Sequence, residues 1–308
     1  MSKKINVGIL TPICKEWFGL YQEKLQFVNN VNDAKYIIYE SNGDPVHIIQ
    51  AIKNKYPKNK LVFILSGDQS QHIDDECIWF TNAVKLTGLS KKQTQIFVTN
   101  PAVFKFYEKQ GKNVTKMKKR YIDIYFKGTV WSGMRTDMYN FFKDKPNCII
   151  ENNNEYWTWR LNGNKPSSNE IEEEAFKMYQ CMDYAILSLC PKGNGNSSMR
   201  ILESLVCGCI PILINDNSKP FGYSFDEFCL SFNTDIHNWE YIYAECNKLI
   251  NDFEKLNKMQ KKGYEFFQNI VYGDYKNIHN TMYTDLNTVC YGFSNLIISK
   301  LLENIDNN

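Results

Sequence analysis

Short apolar runs alternate with segments of helical spacing in the first third of the chain. The apolar runs lie at 5–10, 34–39, 61–65 and 77–80, and helical spacing covers 16–29 and 46–56. Turn-forming residues follow two of these runs, at 41–45 (SNGDP) and 66–68 (SGD). Strands and helices that alternate in this way predict a parallel sheet covered by helices.

A polar and charged segment at 105–120 interrupts the pattern, and the alternation then restarts. Strands are predicted at 122–126, 148–150, 185–189 and 210–214, and helices at 137–142, 170–183 and 199–206, with a mainly helical tail from residue 239. Ser168 or Asn169 is expected to cap the helix at 170–183. The sequence therefore predicts an α/β protein with two Rossmann-like domains, 1–115 and 116–308, facing each other across a cleft. The last helix is a candidate to pack back on the N-terminal domain.

Composition excludes several classes of protein. The net charge of +2 over 308 residues argues against a nucleic-acid binder that uses a broad basic face. The ten cysteines form no C-x-x-C pair, and the four histidines lack zinc-ligand spacing, so no metal site is expected. Free thiols are typical of a reducing compartment, and no apolar stretch is long enough to span a membrane. We therefore expect a soluble, cytoplasmic protein.

A glycine-rich loop follows the predicted strand at 185–189. It contains Lys192, Gly193, Asn194 and Gly195, and the serines Ser197 and Ser198 can cap the helix that comes next. Glycines let backbone N–H groups approach a ligand closely, and a helix start offers unpaired donors and the positive end of the dipole. Neither a Walker A nor a G-x-G-x-x-G pattern is present. This loop is a candidate site for an anion of another kind.

Arg200 lies in the first turn of the predicted helix, and Glu203 follows three residues later. A cation at a helix start is unfavourable for the macrodipole, and no local structural purpose for the Arg200 charge is visible in the sequence. An anion bound there would explain it. The local design suits a diphosphate, with a carboxylate one turn deeper to accept hydrogen bonds from sugar hydroxyls. Local spacing alone fits a glycine-rich turn with a surface Arg–Glu pair at least as well, and both interpretations stay open at this point.

Two groups of motifs resemble the signature of the exostosin family of glycosyltransferases. The first comprises 190–193 (CPKG), 198–204 (SMRILES), 208–212 (GCIPI) and 220–221 (PF), and the second is 125–128 (YFKG) followed by Arg135. Together they cover roughly 122–235, whereas the first 120 residues carry no such motif. The resemblance implies a GT-B fold and an inverting hexosyl- or pentosyltransferase that uses a nucleotide-diphosphate sugar, with a UDP-sugar favoured. A viral or microbial member of the family is expected.

The same resemblance assigns roles to residues of this chain. It implies that Arg200 pairs with the donor diphosphate, that Glu203 binds the ribose or the sugar, and that Arg135 and the backbone at Gly128 face the phosphates. The candidate donor-binding residues are Gly128, Arg135, Lys192, Gly193, Asn194, Gly195, Ser197, Ser198, Arg200 and Glu203. The expected acceptor is an oligosaccharide or the glycan of a glycoprotein.

The expected reaction uses no metal ion and no other cofactor. The chain has no Asp-x-Asp motif of the kind that holds a divalent cation, and Arg200, Arg135 and Lys192 can stabilise the departing diphosphate. The base that accepts the acceptor's proton is expected at strand ends of the N-terminal domain. Asp68 is the first candidate and His72 the second; Glu16 and Asp44 are the others.

Two alternative functions remain open at the level of the sequence. One is a GT-B transferase of another family, such as a fucosyltransferase-like enzyme with a GDP-sugar donor. The other is a non-catalytic protein that binds a nucleotide or a glycan. Donor profiling separates the first from the leading hypothesis, and tight binding without transfer or hydrolysis would identify the second.

Overall fold

The structure of the protein is a computed structural model. It describes residues 4–10, 25–41, 46–65, 74, 76–81, 93–95, 102–110, 120–130, 133–153, 167–193, 198–215, 225–233 and 238–272.

The first sheet is parallel throughout. Its strands, in sequence order, are β1 (Ile5–Ile9), β2 (Leu25–Phe27), β3 (Tyr36–Ser41), β4 (Leu61–Leu65), β5 (Ile78–Thr81) and β6 (Gln93–Gln95). Their order across the sheet is β2-β1-β3-β4-β5-β6. Val62, Phe63 and Ile64 are all fully buried, because a central strand of a parallel sheet is covered on both faces. Helix α1 (Val46–Lys55) connects β3 to β4.

The second sheet is also parallel. It consists of β7 (Ile122–Gly128), β8 (Cys148–Asn152), β9 (Ala185–Pro191), β10 (Ile210–Asn215) and β11 (Leu230–Asn233), in the order β11-β10-β9-β7-β8. The helices of this half are α3 (Gly133–Phe142), α4 (Ser168–Met182), α5 (Arg200–Val206), α6 (Trp239–Ile250) and α7 (Phe253–Phe266). A π-helical segment, Phe267–Tyr272, continues α7. Every residue of β10 is buried, so this strand runs through the middle of the core.

Both sheets place their first strand between the second and the third. This is the order of flavodoxin-like doubly wound sheets, in which the direction of winding changes between the first and third strands. The change occurs between β1 and β3 in the first sheet and between β7 and β9 in the second. The predicted α/β class, with two Rossmann-like units, is confirmed.

Helix α2 (Ala102–Lys109) joins the two halves through aromatic packing. Phe106 packs edge-on against Tyr179 of α4, with ring centroids 5.2 Å apart, and Tyr107 lies 4.5 Å from Tyr272. The Tyr272 hydroxyl donates to Glu108 at 3.0 Å. One continuous buried cluster contains side chains of the first sheet, of α2 and of helices α4, α5 and α7. The two sheets therefore share part of their core.

Three predictions need correction. Residues 25–27 form strand β2 and do not end a helix at 16–29; pairing with β1, Ile5 opposite Leu25, creates this short strand and leaves no trace in local spacing. The cap of α4 is Ser167, which forms a capping box with Glu170. The segment at 105–120 begins inside α2, where Phe106 and Tyr107 are buried.

The predicted domain boundary at 115 and the last helix lie outside the described residues. Strands β6 and β11 were not predicted. No helix in the described ranges combines the length and the apolar character that a membrane span requires.

Candidate functional site

The topology places a candidate site at the carboxyl ends of β7 and β9. These strands are neighbours, with Tyr125 opposite Ser188, and the winding of the sheet changes direction between them. Ligands of doubly wound sheets bind in the crevice outside the carboxyl ends of the strands at such a switch point. Here β7 ends at Gly128 and β9 at Pro191, so the segments 129–130 and 192–193 flank the crevice. Topology and sequence motifs thus indicate the same place.

Arg135, in the first turn of α3, connects the two segments. Its Nη1 donates to the carbonyl of Thr129 at 3.1 Å, its Nη2 to the carbonyl of Pro191 at 3.2 Å and its Nε to the carbonyl of Lys192 at 3.1 Å. The three acceptors come from the ends of two different strands. Arg135 therefore holds the two sides of the crevice at a fixed separation.

Packing requires a glycine at one of the two described glycine positions of the predicted site, Gly128, and not at the other, Gly193. A Cβ at Gly128 would lie 2.9 Å from Cζ of the buried Phe126 ring, so packing excludes a side chain there. A Cβ at Gly193 would lie 3.5 Å from Nη2 of Arg135, which is an ordinary contact. Among the described glycines only Gly208 has a positive φ, of 68°. Left-handed backbone is thus not what requires glycine at 128 or 193.

Arg200 and Glu203 form a largely buried ion pair at the start of α5. Nη1 of Arg200 lies 2.6 Å from Oε2 of Glu203, and Nη2 donates to the carbonyl of Lys127 at 2.6 Å. Oε1 of Glu203 accepts a hydrogen bond of 3.0 Å from the Tyr179 hydroxyl. The exposed fraction is 16% for the Arg200 side chain and 5% for that of Glu203. The pair links α5 both to the end of β7 and to α4.

This geometry corrects two expectations. A surface Arg–Glu pair is excluded because both side chains are mostly buried, and the Arg200 charge does have a structural purpose, since it balances a buried carboxylate. Glu203 is engaged by Arg200 and Tyr179 inside the protein. Two N–H groups of Arg200, at Nε and the second at Nη2, have no partner within the described part of the chain.

The electrostatics keep Arg200 charged and Tyr179 protonated. Burial alone would lower the pKa of Arg200, but the Glu203 carboxylate and the nearby tyrosines outweigh it and raise the pKa above its usual value. Burial, with the charge of Glu203 next, raises the pKa of Tyr179 well above its usual range. Tyr179 is therefore a hydrogen-bond donor to Glu203 at every ordinary pH.

The remaining predicted residues fall into two groups. The Ser198 hydroxyl accepts from the backbone N–H of Arg200 at 3.3 Å, but the N-cap residue of α5 is Met199, which makes no side-chain cap bond, so Ser198 is not the predicted cap. The backbone N–H of Lys192 donates to the carbonyl of Ile214 at 2.9 Å and so fixes the loop to β10. Outside the described residues lie Asn194, Gly195 and Ser197 of the loop and the candidate bases Asp68, His72, Glu16 and Asp44.

Sequence reasoning missed the residues that hold the arginine in place. Tyr179 occupies an apolar position of α4 and has the spacing of a core residue, so nothing in the sequence distinguishes its hydroxyl. Lys127 contributes its carbonyl to Arg200, while its ammonium pairs with Glu151 at 3.3 Å. Backbone acceptors of this kind carry no residue-type signal. Within the described ranges, no group of three or more His, Cys, Asp or Glu side chains could hold a metal ion.

Comparisons with known proteins give structural similarity at low sequence identity. No family model matches the chain. No curated protein sequence matches it. The resemblance to exostosins therefore rests on the motifs.

Among solved structures, Alr3699/HepE of Anabaena in complex with UDP is similar over 99% of this chain and 100% of that one, with 10% identity and a TM-score of 0.43. The same protein in complex with UDP-glucose is similar over 97% and 100%, with 10% identity and a TM-score of 0.43. A glycosyltransferase from Rickettsia africae ESF-5 is similar over 98% of each chain, with 10% identity and a TM-score of 0.38. Similarity at this level does not assign an activity to this chain.

Proposed function

We propose that this chain is an inverting glycosyltransferase that moves a hexosyl or pentosyl group from a nucleotide-diphosphate sugar, with a UDP-sugar favoured, to a hydroxyl of a glycan. One observation carries the proposal. A charged, mostly buried arginine, Arg200, lies beside the carboxyl end of β7 at the switch point and keeps two N–H groups without a partner among the described residues. Such a fixed cation suits a diphosphate.

In the proposed transfer, Arg200 stabilises the charge that develops on the leaving group. As the bond between the sugar and the diphosphate breaks, negative charge grows on the leaving oxygen. A preorganised guanidinium, held by Glu203 and the Lys127 carbonyl, stabilises that charge with little reorganisation. Since an arginine can supply this stabilisation, the proposed reaction needs no divalent metal ion. The proposed base is Asp68, with His72 as the second candidate.

The motifs supply the proposed donor class, and the buried ion pair changes the role proposed for Glu203. Glu203 is occupied by Arg200 and Tyr179, so its role in the proposal is to hold Arg200. Contacts to the ribose or the sugar then fall to other residues around the crevice. No observation in the described part of the chain favours the fucosyltransferase-like or the non-catalytic alternative.

Donor profiling tests the proposal. We expect calorimetry against UDP, GDP and dTDP to show binding of one nucleoside diphosphate in excess EDTA, and the matching sugar nucleotides to be turned over under the same conditions. Activity that disappears in EDTA and returns with manganese would contradict the metal-independent mechanism. Binding without transfer or donor hydrolysis would instead identify a non-catalytic protein.

A further inference from the structure

Three backbone carbonyls converge on the Arg135 guanidinium, and each belongs to a peptide group that also carries an N–H. In a trans peptide the C=O and the N–H point in opposite directions. The carbonyls of Thr129, Pro191 and Lys192 therefore fix the directions of the N–H groups of Val130, Lys192 and Gly193. All three N–H groups point away from Arg135.

Two of these N–H groups are used inside the protein. That of Val130 donates to Oδ1 of Asn152 at 3.2 Å, and that of Lys192 donates to the carbonyl of Ile214 at 2.9 Å. The third, on Gly193, has no partner among the described residues, and Gly193 itself is exposed. It lies directly after β9, at the switch point of the sheet.

We propose that Arg135 is a positioning residue that orients the Gly193 N–H as a hydrogen-bond donor to the donor substrate's diphosphate. The inference rests on the proposed function and assigns Arg135 a role other than contact with the phosphates. A cation on the carbonyl of Lys192 also polarises that peptide group, which strengthens the N–H at its other end. Backbone N–H groups of glycine-containing loops are common phosphate ligands, because the chain can approach the anion closely there.

The Gly193 N–H is tested by comparing two substitutions at one position. Gly193→Ala keeps the N–H and adds a Cβ in ordinary contact with Arg135, whereas Gly193→Pro removes the N–H. With UDP as the probe, we expect Gly193→Pro to bind about tenfold to a hundredfold more weakly than Gly193→Ala. Inorganic pyrophosphate should show the same ratio and uridine should not. A ratio near one for UDP overturns the proposal, as does an equal loss for uridine.

Arg135 is tested by charge and by coupling. Arg135→Lys keeps the charge but cannot reach three carbonyls at once, so we expect it to weaken UDP binding as much as Arg135→Ala does. The loss should not add to that of Gly193→Pro in the double variant. Asp137→Ala, exposed on the same helix, controls for changes to α3. Near-normal UDP binding by Arg135→Lys, or full additivity of the two losses, would indicate that Arg135 acts by direct charge contact with the diphosphate, and would overturn its positioning role.

The outcomes separate this inference from the proposed function. If the wild-type protein binds UDP and the variants at 135 and 193 bind it equally well, the inference fails and the proposed function stands. If the wild-type protein binds none of the three nucleoside diphosphates, both fail together. Should Gly193→Pro not fold, replacement of Gly193 by glycolic acid removes the N–H without adding a ring. The ester also weakens the Lys192 carbonyl as an acceptor for Arg135, so its UDP binding is compared with that of Arg135→Ala as well as with that of Gly193→Ala.

Discussion

At the residue scale, one buried ion pair explains why Arg200 stands at the start of a helix. The charge of Arg200 is unfavourable for the helix dipole, but it balances the buried Glu203 carboxylate, which accepts a hydrogen bond from the Tyr179 hydroxyl. A buried pair is costly to break, because removal of one partner leaves the other charged and unsolvated. Arg200 therefore has a structural role in addition to its proposed role in binding.

Arg200→Ala is therefore expected to lower the free energy of unfolding by about 3–5 kcal/mol, since it leaves the Glu203 carboxylate unpaired. The double variant Arg200→Met with Glu203→Gln should recover much of this loss, because no buried charge remains. Urea unfolding of the two variants measures the difference. Equal stability of both would mean that the pair does not carry the energy assigned to it.

At the element scale, helices pack against each other through positions where only certain sizes fit. Gly263 of α7 faces α5, and a Cβ there would lie 2.8 Å from Cδ2 of the buried Leu205 and 3.4 Å from Cβ of Phe228. Gly133, at the start of α3, has no atom within 4 Å of its Cβ position. The two glycines thus differ in packing while both lie in helices.

Gly263→Ala should destabilise the protein by about 1–3 kcal/mol, because Leu205 cannot move without disturbing the core. Gly133→Ala should be neutral or stabilise by up to about 1 kcal/mol, since it restricts only the unfolded chain. Thermal unfolding of the matched pair measures both effects. A Gly263→Ala protein as stable as the wild type would show that α7 can shift away from α5.

A second element-scale contact joins α1 to β5 through Asp74. Its carboxylate pairs with Lys53 of α1 and accepts from the backbone N–H of Cys77 and from Nε1 of Trp79. Burial alone would raise the pKa of Asp74, but the bond to Lys53 and the backbone N–H groups outweigh it and lower the pKa. The folded protein therefore holds the charged form more strongly than the unfolded chain does.

Stability from Asp74 should be present above the carboxyl's ordinary pKa of about 4 and be lost as the pH falls through its lower value in the folded state. We expect Asp74→Asn to be less stable than the wild type at pH 7, and the difference to shrink below about pH 4. Urea unfolding from pH 7 to pH 3 measures this change. A difference that stays constant with pH would contradict the assignment.

At the scale of the whole molecule, α2 belongs by sequence to the first half and by packing to both. Its aromatic side chains contact α4 and the π-helical segment, and the cluster that contains them continues into the first sheet. The two sheets should therefore unfold together, because separating them exposes a common core.

Hydrogen exchange tests this cooperativity. Amides of β4 and β10 should lose protection at the same urea concentration, and Phe106→Ala should lower that concentration for both, with a loss of about 3–5 kcal/mol. Exchange of β4 at markedly lower urea than β10 would show two separately unfolding domains.

Some residues of the candidate site have a signature in the sequence, whereas the partners that hold them do not. Lys192, Gly193, Arg200 and Glu203 could be proposed as candidates from the sequence, because a glycine loop before a helix has a residue-type signature. The groups that hold the arginines and Glu203 in place could not be predicted. Arg135 and Arg200 donate to backbone carbonyls, and the hydroxyl that donates to Glu203 belongs to a tyrosine in a core position.

The sequence by itself determined the central strands, since apolar runs such as 61–65 and 210–214 are stable only between two layers of helices. Tertiary structure alone decided strand β2, which exists through pairing with β1, and the position of α2, whose buried face fits helices distant in sequence. It also decided that Arg200 and Glu203 are buried, because burial depends on what covers a residue, and the covering elements α4 and β7 lie elsewhere in the chain.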